Sequence, residues 1–398
     1  MIQEIRIKNY LSFRDEVVLS FEATKDTTFE ECQVVNVTPK VRLLRFALVY
    51  GANASGKSNL LNAMDFLRDF WFDKKSDIDE ETGVVPFLLD TETPNEPSEF
   101  NIKFFVGDKR YWYVLVLDDK QVIKEDLYVY NSVQPSLVFS RELDGTASLI
   151  KLNASLVKAN ATIVEQLNVK CLSNMSFFAA RNQVNCSLAY IDEVRDWMKN
   201  NMMPIIEPGT RMFEYAGKQM EKNAELKAYI LDFVHKADYN ITDVYTEREK
   251  VPIPDIVKAS IMEDKDIPEK AKEKMLADNA LERLRTDFQH TVKNKRGEEN
   301  YRLPNSLQSE GTKRTFGIEA AIYEAIKTNG ILPIDEIESS LHPELVEFII
   351  EKFLKEKSRS QLIVTSHYDP LLNTVDDLIR KDSVWFTEKE EDGHTTLY

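Results

Sequence analysis

Cysteine is scarce in this sequence. Only Cys32, Cys171 and Cys186 occur in 398 residues. An odd number at such wide spacing supports neither a disulfide framework nor a thiolate metal cage. Long apolar runs are also missing. No stretch approaches the roughly 20 residues a helix needs to cross a bilayer, and the opening MIQEIRIKNYLSF alternates charged and apolar residues where a secretory signal would be continuously apolar. No His/Cys grouping has zinc spacing, and no Gly-x-Ser-x-Gly marks a hydrolase elbow. Internal repeats and low-complexity tracts are absent. Together these point to a cytoplasmic protein with reduced thiols and no membrane partner. Basic residues are outnumbered, 51 Lys and Arg against 67 Asp and Glu, for a net charge of −16. Proteins that grip nucleic acid with their whole surface are basic, so nucleic acid is not indicated by the overall charge, although a local basic patch stays compatible with it.

The length allows a large core and two or three lobes, and 43% hydrophobic with 30% charged residues is ordinary for a globular chain. Alternation predicts strands over 2–13 and 17–21, then a meander over 100–106, 111–117 and 121–130, with turns at Gly107-Asp108 and Asp118-Asp119-Lys120. Residues 187–233 read as mostly helical. The charge-dense 264–293 segment reads as an exposed helix, either a solvated face or a contact surface for a partner. Buried strands are expected at 45–50, 331–334, 361–365 and 384–387, and helices at 59–72, 311–327 and 343–357, the last beginning at proline. Alternating strands and helices predict an α/β core with a largely parallel sheet. Residues 384–388 and 395–398 around Glu391-Asp392-Gly393 read as a hairpin.

GANASGKS, residues 51–58, follows the apolar run FALVY and precedes a helical pattern. Gly51, Gly56, Lys57 and Ser58 match G-x-x-x-x-G-K-[ST]. Small residues at Asn53, Ala54 and Ser55 let the loop curl its N–H groups toward phosphate oxygens, the helix that begins near Gly56 and runs through Asn59 adds its positive end, Lys57 reaches the outer phosphates and the Ser58 hydroxyl ligates Mg²⁺. ILPI then runs into Asp335-Glu336, two carboxylates at the carboxyl end of a buried strand. Asp335 suits the Mg²⁺ shell, and Glu336 suits orienting or deprotonating an attacking water. Pro333 within ILPI calls for a bulge or one-sided pairing, since proline cannot donate to a ladder. Ser309 and Gly311, in LQSEGT, form either an anion-binding helix terminus or a plain N-cap. His367 ends the run IVTSH, where a neutral imidazole could donate to a γ-phosphate. His235, His290 and His394 read as structural.

GANASGKS, LQSEGT, ILPIDE, ESSLHP and TSH stand in the order of an ABC-type ATPase head and resemble its Walker A, signature, Walker B, D-loop and switch-histidine motifs. IQEIRIKNYLSF resembles the first strands of RecF and SMC proteins, and IRKDSVWFTEK is similar to the end of the RloA-like and OLD-like AAA-family ATPases of bacterial abortive-infection and anti-phage loci. The resemblance implies a P-loop NTPase of α/β class, an ABC-ATPase head with a mixed sheet, an antiparallel β subdomain and a helical insertion. The implied divisions are an N-terminal lobe over 1–180, the insertion over 181–300 and a C-terminal lobe over 301–398. It further implies a head that binds ATP and Mg²⁺, dimerises face to face around nucleotide and hydrolyses it slowly. Lys57, Glu336 and His367 would be catalytic, while Ser309 and Gly311 would reach the γ-phosphate held by the other copy. A regulatory role toward a separate effector in phage defence is the implied biology, with a RecF-like DNA repair ATPase or a nucleotide-gated scaffold as alternatives. The 190–300 region lacks sustained heptads, which argues against a long coiled coil. Residues 368–398 are too few for a Toprim nuclease, so any nuclease or toxin would sit on another chain. Gln183 is a candidate for the family's Q-loop glutamine. Relatives usually run further than the last hairpin, which implies a shortened member or a tail beyond Tyr398.

Overall fold

Three apolar runs account for the centre of the molecule's larger unit. FALVY, ILPI and QLIVTS form the strands Phe46–Tyr50, Ile331–Ile334 and Gln361–Ser366, buried almost residue for residue. Strands covered on both faces carry continuous apolar runs and belong to parallel sheets. In the computed structural model, which describes residues 1–237, 240–263 and 269–398, these strands pair in parallel. Val384–Lys389 adds to the other side of Phe46–Tyr50, also parallel, and Thr395–Leu397 folds back antiparallel as the expected hairpin. The order is 331–334, 361–366, 46–50, 384–389, 395–397. Phe46–Tyr50 is therefore central, and the carboxyl ends of the four parallel strands share one edge of the sheet.

Pro333 is accommodated by one-sided pairing. Ile331–Ile334 is an edge strand whose full ladder faces Gln361–Ser366. Among the described residues its other side carries only single bridges from Met202 and Ile206, and the Pro333 carbonyl accepts from the Ile206 N–H at 3.0 Å. The donor that proline lacks falls on this loosely paired side.

A second, antiparallel sheet of seven strands lies in the same unit, in the order 147–152, 136–144, 122–130, 109–117, 98–106, 2–8, 17–20. It contains the expected meander and N-terminal strands and adds Ser136–Asp144 and Ala147–Leu152, which the sequence reading did not assign. Gln361 ties the two sheets together. Its side-chain oxygen accepts from the Ile2 N–H at 2.6 Å, and its amide donates to the Ile2 and Leu44 carbonyls. The helix Lys57–Phe70 buries Leu60, Leu61, Met64, Leu67 and Phe70 in the common core.

The chain divides into two units: Met1–Thr210 with Glu324–Ser339 and Val346–Tyr398, and Arg211–Tyr323 with Ser340–Leu345. The second unit has its own core of Phe213, Ala216, Ile230, Val244, Phe288 and Phe316, between the helices Met212–Lys222 and Ala224–Lys236 and a three-stranded antiparallel sheet. That sheet corrects the helix expected over 264–293. A helix does occupy Glu269–Asp278, but Ala280–Asn294 is a strand flanked by Ile241–Pro252 and Gly297–Pro304. Residues 264–268 lie outside the described residues. Thr286 and Phe288 are buried while Arg285 is exposed, so alternation and pairing on both sides override the Glu- and Lys-rich composition. Among the described residues the longest helix is Glu310–Thr328, at 19 residues, and none is long and apolar enough to cross a membrane.

Candidate nucleotide-binding site

The loop 51–56 leaves the carboxyl end of the central strand and turns into the helix Lys57–Phe70. Gly56 has φ 98° and Ala54 φ 62°. Gly56 takes the left-handed turn at little cost, whereas Ala54 holds a conformation unusual for a residue with a Cβ and common where a site demands it. No side chain caps this helix and no acidic residue occupies its first turn, which leaves its positive end open to an anion. Lys57 is 5% exposed and donates to the Gly51 and Ala52 carbonyls, both at 2.8 Å. An ammonium has three donors, so one remains for the cleft. Burial lowers the Lys57 pKa, partly offset by the charges of Glu336, Asp335 and Glu338.

A cleft of about 500 Å³ is lined by Ser12, residues 53–59, Glu336, His367 and Lys389. Nine of the expected residues, the seven from Asn53 to Asn59 with Glu336 and His367, thus meet around one space, brought there by three adjacent strand ends. Asp335 sits at the same strand end as Glu336 and is 7% exposed. Thr365 ties the Asp335 carboxylate to the Glu336 backbone, its hydroxyl donating to Asp335 Oδ1 and accepting from the Glu336 N–H at 2.8 Å. Glu336 is held at φ 44°, another backbone conformation that non-glycine residues adopt chiefly where surroundings enforce it.

His367 is fixed by Glu338. The Glu338 Oε1 oxygen accepts from the His367 backbone N–H and faces its Nδ1, both at 3.0 Å. A carboxylate only accepts, so Nδ1 carries a hydrogen toward Glu338, and the residue also lines the cleft.

Ser309 and Gly311 belong to the second unit. Ser309 Oγ accepts from the Thr312 N–H at 3.0 Å, the geometry of an N-cap, for the helix that begins at Glu310. Gly311 lets the Ser340 carbonyl approach, since a Cβ there would come within 2.7 Å of that oxygen. Gln183 lines a different cleft with Thr162, Glu165 and Lys170. The residues that sequence reasoning did not single out are Ser12, Glu338, Thr365, Thr387, Lys389 and Thr395. Glu338 and Thr365 stand inside the quoted motifs ESSLHP and TSH. Ser12 stands inside IQEIRIKNYLSF and Thr387 and Lys389 inside IRKDSVWFTEK, stretches whose resemblance assigned these residues no role, and Thr395 opens the last strand of the expected hairpin.

The donor set suits a magnesium nucleotide. The Ser58 hydroxyl and the Asp335 carboxylate are hard oxygen ligands of the kind Mg²⁺ takes, beside a helix terminus and an ammonium that suit phosphate.

A family model described as "AAA domain, putative AbiEii toxin, Type IV TA system" matches residues 46–152 and 208–373, well over half of the chain. The chain belongs to this AAA family. The match opens on the first residue of the central strand and runs past His367. Membership relates the chain to AAA domains whose description names the abortive-infection toxin AbiEii. No curated protein matches the AAA-family chain significantly. Among solved structures, it resembles an SMC head domain from Thermotoga maritima (12% identity, TM-score 0.46, covering 100% of this chain and 98% of that one). It also resembles an Smc head bound to the C-terminal winged-helix domain of ScpA (13%, 0.43, 100% and 97%).

Proposed function

We propose that the chain binds Mg·ATP in the cleft around Lys57, hydrolyses it slowly, dimerises around the nucleotide, and through its nucleotide state regulates a separate effector in anti-phage defence. The observation that carries this reading is the meeting of Lys57, Ser58, Glu336 and His367 around one cleft. Loop N–H groups and Lys57 hold the phosphates, and Ser58 with Asp335 would hold Mg²⁺. When bound, the ion supplies neutralisation of phosphate charge. Glu336 orients or deprotonates the attacking water, and His367, held by Glu338, contacts and senses the γ-phosphate. Ser309 and Gly311 of a second copy complete the site, so ATP couples nucleotide state to assembly. The family's description, which names a toxin of a type IV TA system, supports a defence setting, and the effector, a nuclease or toxin, sits on another chain in this reading.

ATP binding by calorimetry and phosphate release by the full chain test the catalytic part. Wild type binds and hydrolyses ATP, and EDTA stops turnover. Lys57→Ala loses binding. Glu336→Gln binds but turns over about 100- to 10,000-fold more slowly, the usual worth of a general base. A wild-type chain that neither binds nor hydrolyses ATP overturns the reading.

A further inference from the structure

The hairpin formed by Val384–Lys389 and Thr395–Leu397 turns one face toward the phosphate loop. Thr387 and Lys389 are two apart on one strand, and Lys389 is paired with Thr395 across the ladder. Residues so related share a face of the sheet. Thr387 is 5% exposed and Thr395 1% exposed. The Thr387 and Ser55 hydroxyls lie 2.6 Å apart. Thr395 Oγ1 donates to the Ser55 carbonyl at 3.0 Å and lies 2.9 Å from Ser12 Oγ, and its N–H donates to the Ser12 carbonyl. Ser12 Oγ in turn accepts from Asn59 Nδ2 at 2.8 Å, on the first turn of the loop's helix.

The loop's two glycines are spaced to match. A Cβ on Gly51 would meet the Thr387 carbonyl at 2.6 Å, and one on Gly56 would press on Thr395 and on Ser12 Oγ at 2.7 Å. Each glycine thus lies against one hairpin threonine, with Ser55 bonded to both threonines between them. Lys389, on the same face, is exposed and lines the phosphate cleft. Among the described residues it makes no ion pair, although Glu388, Glu390, Glu391 and Asp392 are its hairpin neighbours.

We infer that this hairpin is a third wall of the nucleotide site. Thr387 and Thr395 are positioning residues that hold the phosphate loop in its binding shape, and Lys389 is a further binding residue for the nucleotide's phosphates. The inference rests on the proposed ATP binding. It assigns a role to residues more than 300 positions from the loop they hold.

The test is calorimetric titration of the full chain with ATP, ADP and adenosine, beside thermal melts without nucleotide. Thr395→Val removes the hydroxyl at nearly constant shape and is expected to weaken ATP about two- to tenfold, the range for one hydrogen bond. Thr395→Ser restores the affinity. Lys389→Gln weakens ATP about tenfold, weakens ADP less, leaves adenosine unaffected and flattens the salt dependence, while Lys389→Arg retains most of the affinity. A Thr395→Val chain that melts lower but binds ATP like wild type is a structural strut only and overturns the positioning role. Lys389→Gln binding indistinguishable from wild type overturns the phosphate role. Failure of wild type itself to bind ATP refutes the proposed function instead, so the two failures are separable.

Discussion

Glu338 makes two contacts to one histidine through a single oxygen, to the His367 N–H and to Nδ1. It therefore sets the ring's direction and which nitrogen carries hydrogen, a positioning role for the residue that faces the cleft. Glu338→Gln keeps an acceptor at that place but removes the carboxylate's charge and one of its two equivalent oxygens. Turnover should fall roughly tenfold or more, in the range for loss of a group that orients another, with ATP affinity nearly unchanged. The double variant Glu338→Gln/His367→Ala should be no slower than His367→Ala alone, because residues acting as one unit are not additive. Single-turnover phosphate release reads both effects, and additive losses would show that the two side chains act independently. At this scale the loop proposed to hold phosphate was legible as a strand-to-helix turn, because its pattern is written in eight consecutive residues. His367 was legible by its place at a strand end, but its tautomer was not, since that depends on a carboxylate 29 positions earlier in the chain.

The parallel strands were legible as elements because burial on both faces leaves an apolar run such as FALVY, which competes with nothing else nearby. Ala280–Asn294 was misread for the opposite reason. Its alternation is diluted by charged residues on the exposed face and is satisfied only by pairing with two other strands. Ser136–Asp144 and Ala147–Leu152 did carry a signal, the Asp144-Gly145 turn between them, which the reading passed over. Thr365 links two strand ends in the same way that the hairpin threonines hold the loop. Thr365→Val would leave Asp335 Oδ1 and the Glu336 N–H without that partner in a buried setting. The cost should be about 1–3 kcal/mol in chemical denaturation, and hydrolysis should slow as Glu336 leaves its enforced conformation. At the tip of the last hairpin, Asp392 accepts from His394 and from Arg14, which together hold its carboxyl down to about 2. A depressed carboxyl contributes stability above its unfolded value near 3.8 and loses it as pH falls through the folded value. The Thr395 amide, bonded to the Ser12 carbonyl at 2.7 Å, should stay protected from hydrogen exchange at pH 4 and open only as pH approaches 2. Asp392→Asn should remove that inflection.

At the scale of the whole molecule, charge and assembly oppose each other. Each copy carries −16, so bringing two together costs electrostatic repulsion that salt screens over a Debye length of about 8 Å at physiological ionic strength. In the proposed sandwich, a nucleotide bound between copies has to overcome that repulsion, and hydrolysis would remove the bridging phosphate. The variant that binds without turning over is therefore where association should be most visible. Light scattering of Glu336→Gln should give a mass near 46.0 kDa alone and about twice that with Mg·ATP. Wild type should shift only transiently, and Lys57→Ala not at all. Ser309→Arg, placed where the other copy's phosphate would lie in the proposed sandwich, should block the shift while leaving ATP binding to the single chain intact. Raising salt from low values toward 0.15 M should strengthen association, the reverse of a complex held by phosphate-backbone contacts, which weakens steeply with salt. A mass that never responds to nucleotide would mean that assembly is not gated by ATP. Ser309 would then be what its bond to the Thr312 N–H already makes it, the cap of its own helix.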